Sequence, residues 1–402
     1  MQPHGPGADP TIRSLISTVY VPSFLFAAGA GAVIPQVALT ARSLGASVAV
    51  AGLAVALRGI GTMVFDVPSG ALVARLGERK AMLVGTGLLI ASLLGAVTAG
   101  SVIVFSFWMF LMGCGWAVWM LARLTYVSEV MPLHLRGRAL STMGGVQRMG
   151  TFVGPFVGAA AVAVAGFDGV YFVHLILAIA ALGVILRIRD PHVTSTSGPG
   201  HPNLDVLGIA RRHSTVFLPA GVGTIAIALL RTTRQVILPL WAEHIGLDAA
   251  TVGVIFGISA AIDMVLFYPA GSVSDRFGRK MVAVPSIVIM AIAMALVPLS
   301  GGFWSLTGVA LLMGFGNGLG SGIIMTLGAD FAPPGYRAEF LGVWRLVGDV
   351  GSAAGPLVVS GLAAISLGAA ALAVAGIGLA GAGLMAFRMP EPNLAARKRP
   401  AD

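Results

Sequence analysis

Nine charged side chains fall inside long apolar runs of this sequence: Arg58, Asp66, Arg123, Arg148, Arg231, Arg234, Asp263, Arg345 and Asp349. In hydrocarbon each would cost roughly 2.5–3.5 kcal/mol on the insertion scale, so such groups persist where they pair or line a polar route. A carboxyl group in that setting is able to take up and release a proton as its surroundings change. Asp66 stands first as a proton carrier, since it lies about 12 Å from the end of its helix at the helical rise. Asp263 stands second. Asp349 stands behind them, because Arg345 lies four residues earlier and can pair with it along one helix face. The competing reading makes these carboxylates permanent ion-pair partners of arginines on other helices. Arg231 and Arg234 share one helix face and suit an anionic or strongly polar group, with structural pairing the alternative. Together with Arg58, Arg123, Arg148 and Arg345, and with Gln147 and Asn317 as hydrogen-bonding partners, they make up the candidate substrate cavity. Arginines outnumber aspartates in this set, which argues against a cavity tuned only for cations.

The elements that carry these groups follow from composition. The chain has 402 residues, of which 57% are apolar and 10% charged; its mean hydropathy is +0.92. A soluble fold would leave too much apolar surface in water, so the chain reads as an integral membrane protein. Twelve apolar runs of helical length follow one another, each near the 20 or so residues a crossing needs. The expected organisation is a cytoplasmic amino terminus over 1–14, a six-helix bundle over 15–188, a cytoplasmic linker over 189–214, a second six-helix bundle over 215–387 and a cytoplasmic tail over 388–402. Outside the runs, every Lys and Arg except Arg42 falls on one side, which places both termini and the linker in the cytoplasm. The formal charge of +9 is therefore mostly topology and does not point to nucleic acid. Runs three, six, nine and twelve carry no interior charge, as expected of helices at the lipid-facing periphery. The single cysteine, Cys114, excludes an internal disulfide, and no spaced Cys and His set suggests zinc.

The two halves repeat. Residues 112–158 laid on 313–359 without a gap match at twelve of 47 positions, including Pro132 with Pro333, Arg136 with Arg337, and Gly154-Pro155 with Gly355-Pro356. The same shift of 201 places Arg75 on Arg276, Gly77 on Gly278 and Glu129 on Asp330. Carriers with a central site between two duplicated bundles are built this way.

Two loops sharpen the reading. One runs Gly70-Ala-Leu-Val-Ala74-Arg75-Leu-Gly77-Glu78-Arg79-Lys80, the other Gly271-Ser-Val-Ser-Asp275-Arg276-Phe-Gly278-Arg279-Lys280. They resemble the G-x-L-x-D-R-x-G-R-K motif of the major facilitator superfamily; the second copy is intact, while the first has Ala74 in the Asp position and Glu78 in an Arg position. A third segment, Gly150-x-x-x-Gly154-Pro155-x-x-Gly158, resembles that family's antiporter motif, with small residues for close helix approach and a proline bend. The fourth run has Met109 where the family usually has Arg. The resemblance covers nearly the whole chain. It implies an all-α membrane fold of twelve transmembrane helices in two pseudo-symmetric bundles. It also implies a cytoplasmic gate drawn from Gly70, Arg75, Gly77, Arg79, Glu129, Gly271, Asp275, Arg276, Gly278, Arg279 and Asp330.

These features point to a secondary carrier in the cell inner membrane, a monomer and not an enzyme, exporting a small amphipathic compound in exchange for protons by alternating access. No cofactor is expected beyond the proton gradient, since no Walker-type nucleotide motif is present. Uptake or exchange of an anionic metabolite is the alternative, motivated by the arginine surplus.

Overall fold

The computed structural model describes residues 15–187, 206–333, 337–363 and 365–391. The expected amino-terminal segment, most of the linker and most of the tail lie outside the described residues. Within them the secondary structure is helical. The π-turn Ile16–Tyr20, α1 (Val21–Val33), the 3-10 turn Ile34–Gln36 and α2 (Val37–Ser43) form one stretch. They are followed by α3 (Val48–Leu76), α4 (Glu78–Val97), α5 (Val102–Val130) and α6 (Leu133–Leu186). In the second half come α7 (Val206–Arg212), α8 (Ser214–Val216), the π-turn Phe217–Gly221, α9 (Val222–His244), α10 (Ala249–Phe277) and α11 (Lys280–Leu296). The 3-10 turn Val297–Leu299, α12 (Phe303–Leu319), α13 (Ile323–Phe331), α14 (Arg337–Leu362) and α15 (Leu367–Arg388) complete it.

Among the described residues, ten stretches are long and apolar enough to cross a membrane. One of them, within α6, is two helices joined at Ala165 and Gly166, where Gly166 takes φ +64°. A left-handed residue breaks the helical register, and glycine reaches that conformation without steric penalty. The helix α14 is also long enough to span, at 26 residues, and it carries Arg345 and Asp349.

Helix boundaries follow local chemistry. Ser101, Asp248 and Ser366 cap α5, α10 and α15 by accepting the N–H of Val104, Thr251 and Ala369. The Thr251 N–H holds the Asp248 carboxyl below the usual carboxylate range. Gly77 (φ +78°) and Gly278 (φ +103°) turn the chain between α3 and α4 and between α10 and α11.

The described residues form two compact units, one drawn from 15–33 and 60–187, the other from 34–59 and 206–391. In the first, α1 packs on α6 and α4 packs on α5 and α6. In the second, α9 packs on α14 and α15, and α11 packs on α12 and α15. These pairings correspond under the shift of 201, and so do individual contacts. A Cβ on Gly150 would sit 2.6 Å from the carbonyl oxygen of Phe24, and one on Gly351 would sit 2.6 Å from that of Ile225. Gly154 faces the Ala28 carbonyl as Gly355 faces that of Leu229. The duplication seen in sequence is thus a duplication of packing. The second unit also includes residues from the first half. There the Arg42 guanidinium meets the Glu243 carboxylate at 3.1 Å, Gln36 donates to the Ala249 carbonyl at 2.8 Å, and Ser360 donates to that of Ala49 at 2.5 Å.

Candidate functional site: buried polar groups of the helices

In the second unit a line of polar groups runs across α9, α10 and α12. Arg231 and Arg234, three residues apart, leave the same face of α9. Arg231 donates to the Gly320 carbonyl at 2.6 Å, at the end of α12. Arg234 donates to Ser259 Oγ on α10 at 3.3 Å, and Ser259 in turn donates to the Ala310 carbonyl at 2.6 Å. One turn along α10, Asp263 accepts a hydrogen bond from Asn317 Nδ2 at 2.7 Å. Arg234 also interacts electrostatically with Asp263. Asn317 Oδ1 and Arg234 Nε are sealed from solvent without a hydrogen-bond partner. Unused donor and acceptor capacity beside a carboxylate makes this a site where a proton or a polar ligand group changes the hydrogen bonding.

In the first unit the centre is Arg123, only 2% exposed on α5. Its guanidinium donates to Ser23 Oγ at 2.9 Å and to Gln147 Oε1 at 3.0 Å. It also lies 4.4 Å from the centroid of the Trp119 ring. All of these are neutral groups. The same region of α5 packs as core: Trp119 lies 4.4 Å from the Phe26 ring, and Met112 is buried. His174 is buried against Gly29, whose missing Cβ makes room for the imidazole.

The sequence-derived candidates therefore fall into groups. Arg123 meets Gln147; Arg231, Arg234, Asp263 and Asn317 share the second unit's polar line; Arg345 and Asp349 pair at 3.9 Å along α14. Asp66 and Arg58 lie half-buried on α3, with Arg148 half-buried on α6. Gly150, Gly154 and Gly158 bring α6 against α1, and Pro155 lies beside Gly31.

At the loops, Arg279 Nε pairs with Asp330 at 2.7 Å and its Nη1 with Asp275 at 2.6 Å. Desolvation works against the Arg279 charge, but the two carboxylates outweigh it and raise the guanidinium pKa above its usual value. Arg276 is exposed, 5.3 Å from the Phe277 ring, and Arg75 is exposed as well. Gly70 and Gly271 stand clear of close contacts, with Leu121 the nearest side chain to Gly70 at 3.9 Å from a Cβ built there. Arg79 donates to the Leu186 carbonyl at 2.8 Å, and Glu129 interacts with Glu78. Sequence reasoning did not single out Ser23 or Ser259, since a serine in an apolar run gives no signal of what it meets. Nor did it single out Glu391, whose carboxylate accepts the backbone N–H groups of Arg279 at 2.6 Å and Lys280 at 3.0 Å.

Two duplicated helical units with this motif in both loops match a known sequence profile, that of the Major Facilitator Superfamily, over residues 19–230 and again over 220–402. The chain belongs to the Major Facilitator Superfamily. Among its relatives in that superfamily, the quinolone resistance protein NorA of Staphylococcus aureus is 22% identical over 366 residues, 86% of this chain and 89% of that protein. The hexuronate transporter of Bacillus subtilis is 30% identical over 138 residues, 34% of this chain and 32% of that protein. The crystal structure of a D-xylose-proton symporter superposes with a TM-score of 0.71 at 18% identity, covering 95% of this chain and 99% of that one, which shows the shared fold. This superfamily member is accordingly a multi-pass membrane protein of a transporter family, with a small molecule as its cargo.

Proposed function

We propose that this chain is a proton-coupled exporter of small amphipathic compounds, working by alternating access as a monomer in the cell inner membrane. It is a carrier and not an enzyme, with no cofactor beyond the proton gradient. Both termini and the Gly77 and Gly278 loops face the cytoplasm, in keeping with the lysine and arginine distribution. The observation that carries the export reading is the similarity to the quinolone resistance protein, which spans both halves and most of each chain. The chemistry that supports it is the pair of carboxyl groups on span-forming helices, Asp66 on α3 and Asp263 on α10. Asp263 has Asn317 as a direct partner and Arg234 within electrostatic reach. A proton arriving at Asp263 removes the charge that Arg234 and Asn317 now face. Proton binding and cargo binding then act on the same side chains, as exchange requires.

The test is transport in proteoliposomes under an imposed pH gradient, with a quinolone as first probe. Wild-type protein is expected to move it against its concentration gradient. Asp66→Asn and Asp263→Asn are expected to lose gradient-driven movement while keeping passive exchange. Full coupled transport by both variants would remove these two residues as proton carriers.

A second reading, uptake or exchange of an anionic metabolite, is favoured by Arg123, a buried cation whose partners are neutral, and by the partial match to the hexuronate transporter. The same vesicles, loaded with a hexuronate and assayed for counterflow, separate the two readings.

A further inference from the structure

The shift of 201 that relates the halves puts Glu78 where the second half has Arg279, and Glu129 where it has Asp330. In the second unit these positions hold an ion pair at 2.7 Å. In the first unit both are acids, α4 packs on α5 as α11 packs on α12, and the two carboxyl groups interact with each other. Glu78 opens α4 and is only 8% exposed. Glu129 lies in the last turn of α5, and its Oε2 is sealed from solvent with no donor in reach. Among the described residues no Lys or Arg forms an ion pair with either carboxyl group. The neighbouring Arg79 gives a hydrogen bond to the Leu186 carbonyl. The titratable group on α5 that interacts with Glu78 is Tyr126, whose hydroxyl is hydrogen-bonded to Thr18. At the loop ends of the elements meeting here the other charged or titratable groups are Arg75 at the end of α3, Lys80 on α4, Tyr20 on the π-turn that carries Thr18, His134, Arg136 and Arg138 at the start of α6, and Arg187 just past its end.

Two ionised carboxylates have no hydrogen to share and repel each other, so an attractive contact between them requires a proton. Where a cation has been replaced by an acid against a second acid, a bound proton is the smallest change that restores an attractive contact. We propose that Glu78 and Glu129 form a proton-binding site at the loop end of the first unit, where one shared proton takes the place the Arg279 guanidinium holds in the second. The helix ends place that proton. Glu78, at the amino end of α4, sits where backbone N–H groups favour a negative charge, and Glu129, at the carboxyl end of α5, sits where carbonyls disfavour one. The Glu129 hydroxyl therefore donates to the Glu78 carboxylate. Loss of the proton leaves two negative charges facing each other and pushes the start of α4 from the end of α5. This site is separate from Asp66 and Asp263, and it holds whether or not transport is proton-coupled.

The test uses the purified full chain in detergent, without cargo or gradient, so its outcome is independent of the transport assay. Melting temperature is followed from pH 5 to pH 9 for wild type, Glu129→Gln and Glu78→Arg. The first substitution sets an amide that does not titrate against the Glu78 carboxylate, and the second rebuilds the ion pair of the second half. Wild type is expected to lose about 1–2 °C more than either variant as the pH rises, the shift that about 1 kcal/mol produces in a protein of this size. Identical pH dependence in all three proteins would overturn the proposal. Infrared titration of the wild-type protein gives a readout that needs no variant at this site. A protonated carboxylic acid band is expected at neutral pH and must persist when Asp66, Asp263 and Asp349 are all changed to Asn; its absence overturns the proposal.

Discussion

At the scale of single residues, the second loop is held by contacts that the motif alone does not explain. Glu391 follows α15, and its two oxygens accept the N–H groups of Arg279 and Lys280, the first donors of α11. Helix N-termini leave such donors without partners, and a carboxylate there also complements the helix dipole. Gly278 makes the arrangement possible twice over. Its φ of +103° suits glycine, and a Cβ would approach Glu391 Cδ to 2.9 Å. Removing the carboxylate with Glu391→Ala should destabilise the protein by about 1 kcal/mol, in the range of a lost helix cap. Gly278→Ala should lower stability further, because it strains the backbone and displaces the same carboxylate. Thermal unfolding of the two variants checks the order; equal stability of Glu391→Ala and wild type would show that water replaces the cap at no net loss.

Helices pack here through missing side chains. In the first unit α6 lies against α1 through Gly150, Gly154 and Gly158, and in the second α14 lies against α9 through Gly351 and Gly355. Small residues let backbones approach closely where lipid supplies no hydrophobic drive for helix association. The Gly-x-x-x-Gly-Pro pattern was legible in sequence, and the structure explains its spacing: each glycine meets a carbonyl of the facing helix, one turn apart. A side chain at either site has no space to enter. Gly154→Val and Gly355→Val should each cost about 1–3 kcal/mol, as overpacking does. Gly383→Ala in α15, where a Cβ meets nothing within 4 Å, should be neutral or gain up to about 1 kcal/mol from helix propensity. Melting curves of the three variants test this, and comparable losses at Gly383 and Gly154 would mean that composition, not contact, sets the cost.

Over the whole molecule, the fold was legible because membrane helices announce themselves by length and hydropathy, and because two Pro, two Arg and a set of Gly positions preserve the duplication. Individual partners were less legible. Arg231, Arg234 and Asn317 stood out as polar groups in apolar runs, but their partners include backbone carbonyls and serines, which carry no pattern in sequence. The Glu78 departure from the loop motif was visible; that it faces Glu129 depends on how α4 meets α5. Arg42 shows the same limit. It stood out as the lone positive residue on its side, and the shift of 201 equates it with Glu243, yet only the structure brings these equivalent positions together, at 3.1 Å within the second unit. Both side chains are about one-third exposed, so the pair belongs with surface ion pairs worth about 0.2–1 kcal/mol. A double-mutant cycle of Arg42→Ala and Glu243→Ala should return a coupling in that range, shrinking at high salt as screening sets in. Arg42→Glu alone should cost more than Arg42→Ala, because it sets two carboxylates against each other. Adding Glu243→Arg should recover most of the loss, though not the hydrogen bond from Arg42 to the Ala46 carbonyl at 2.6 Å. A cycle with no coupling at low salt would mean that the Gln36 and Ser360 hydrogen bonds, and not this ion pair, fasten residues 34–59 to the helices of the second half.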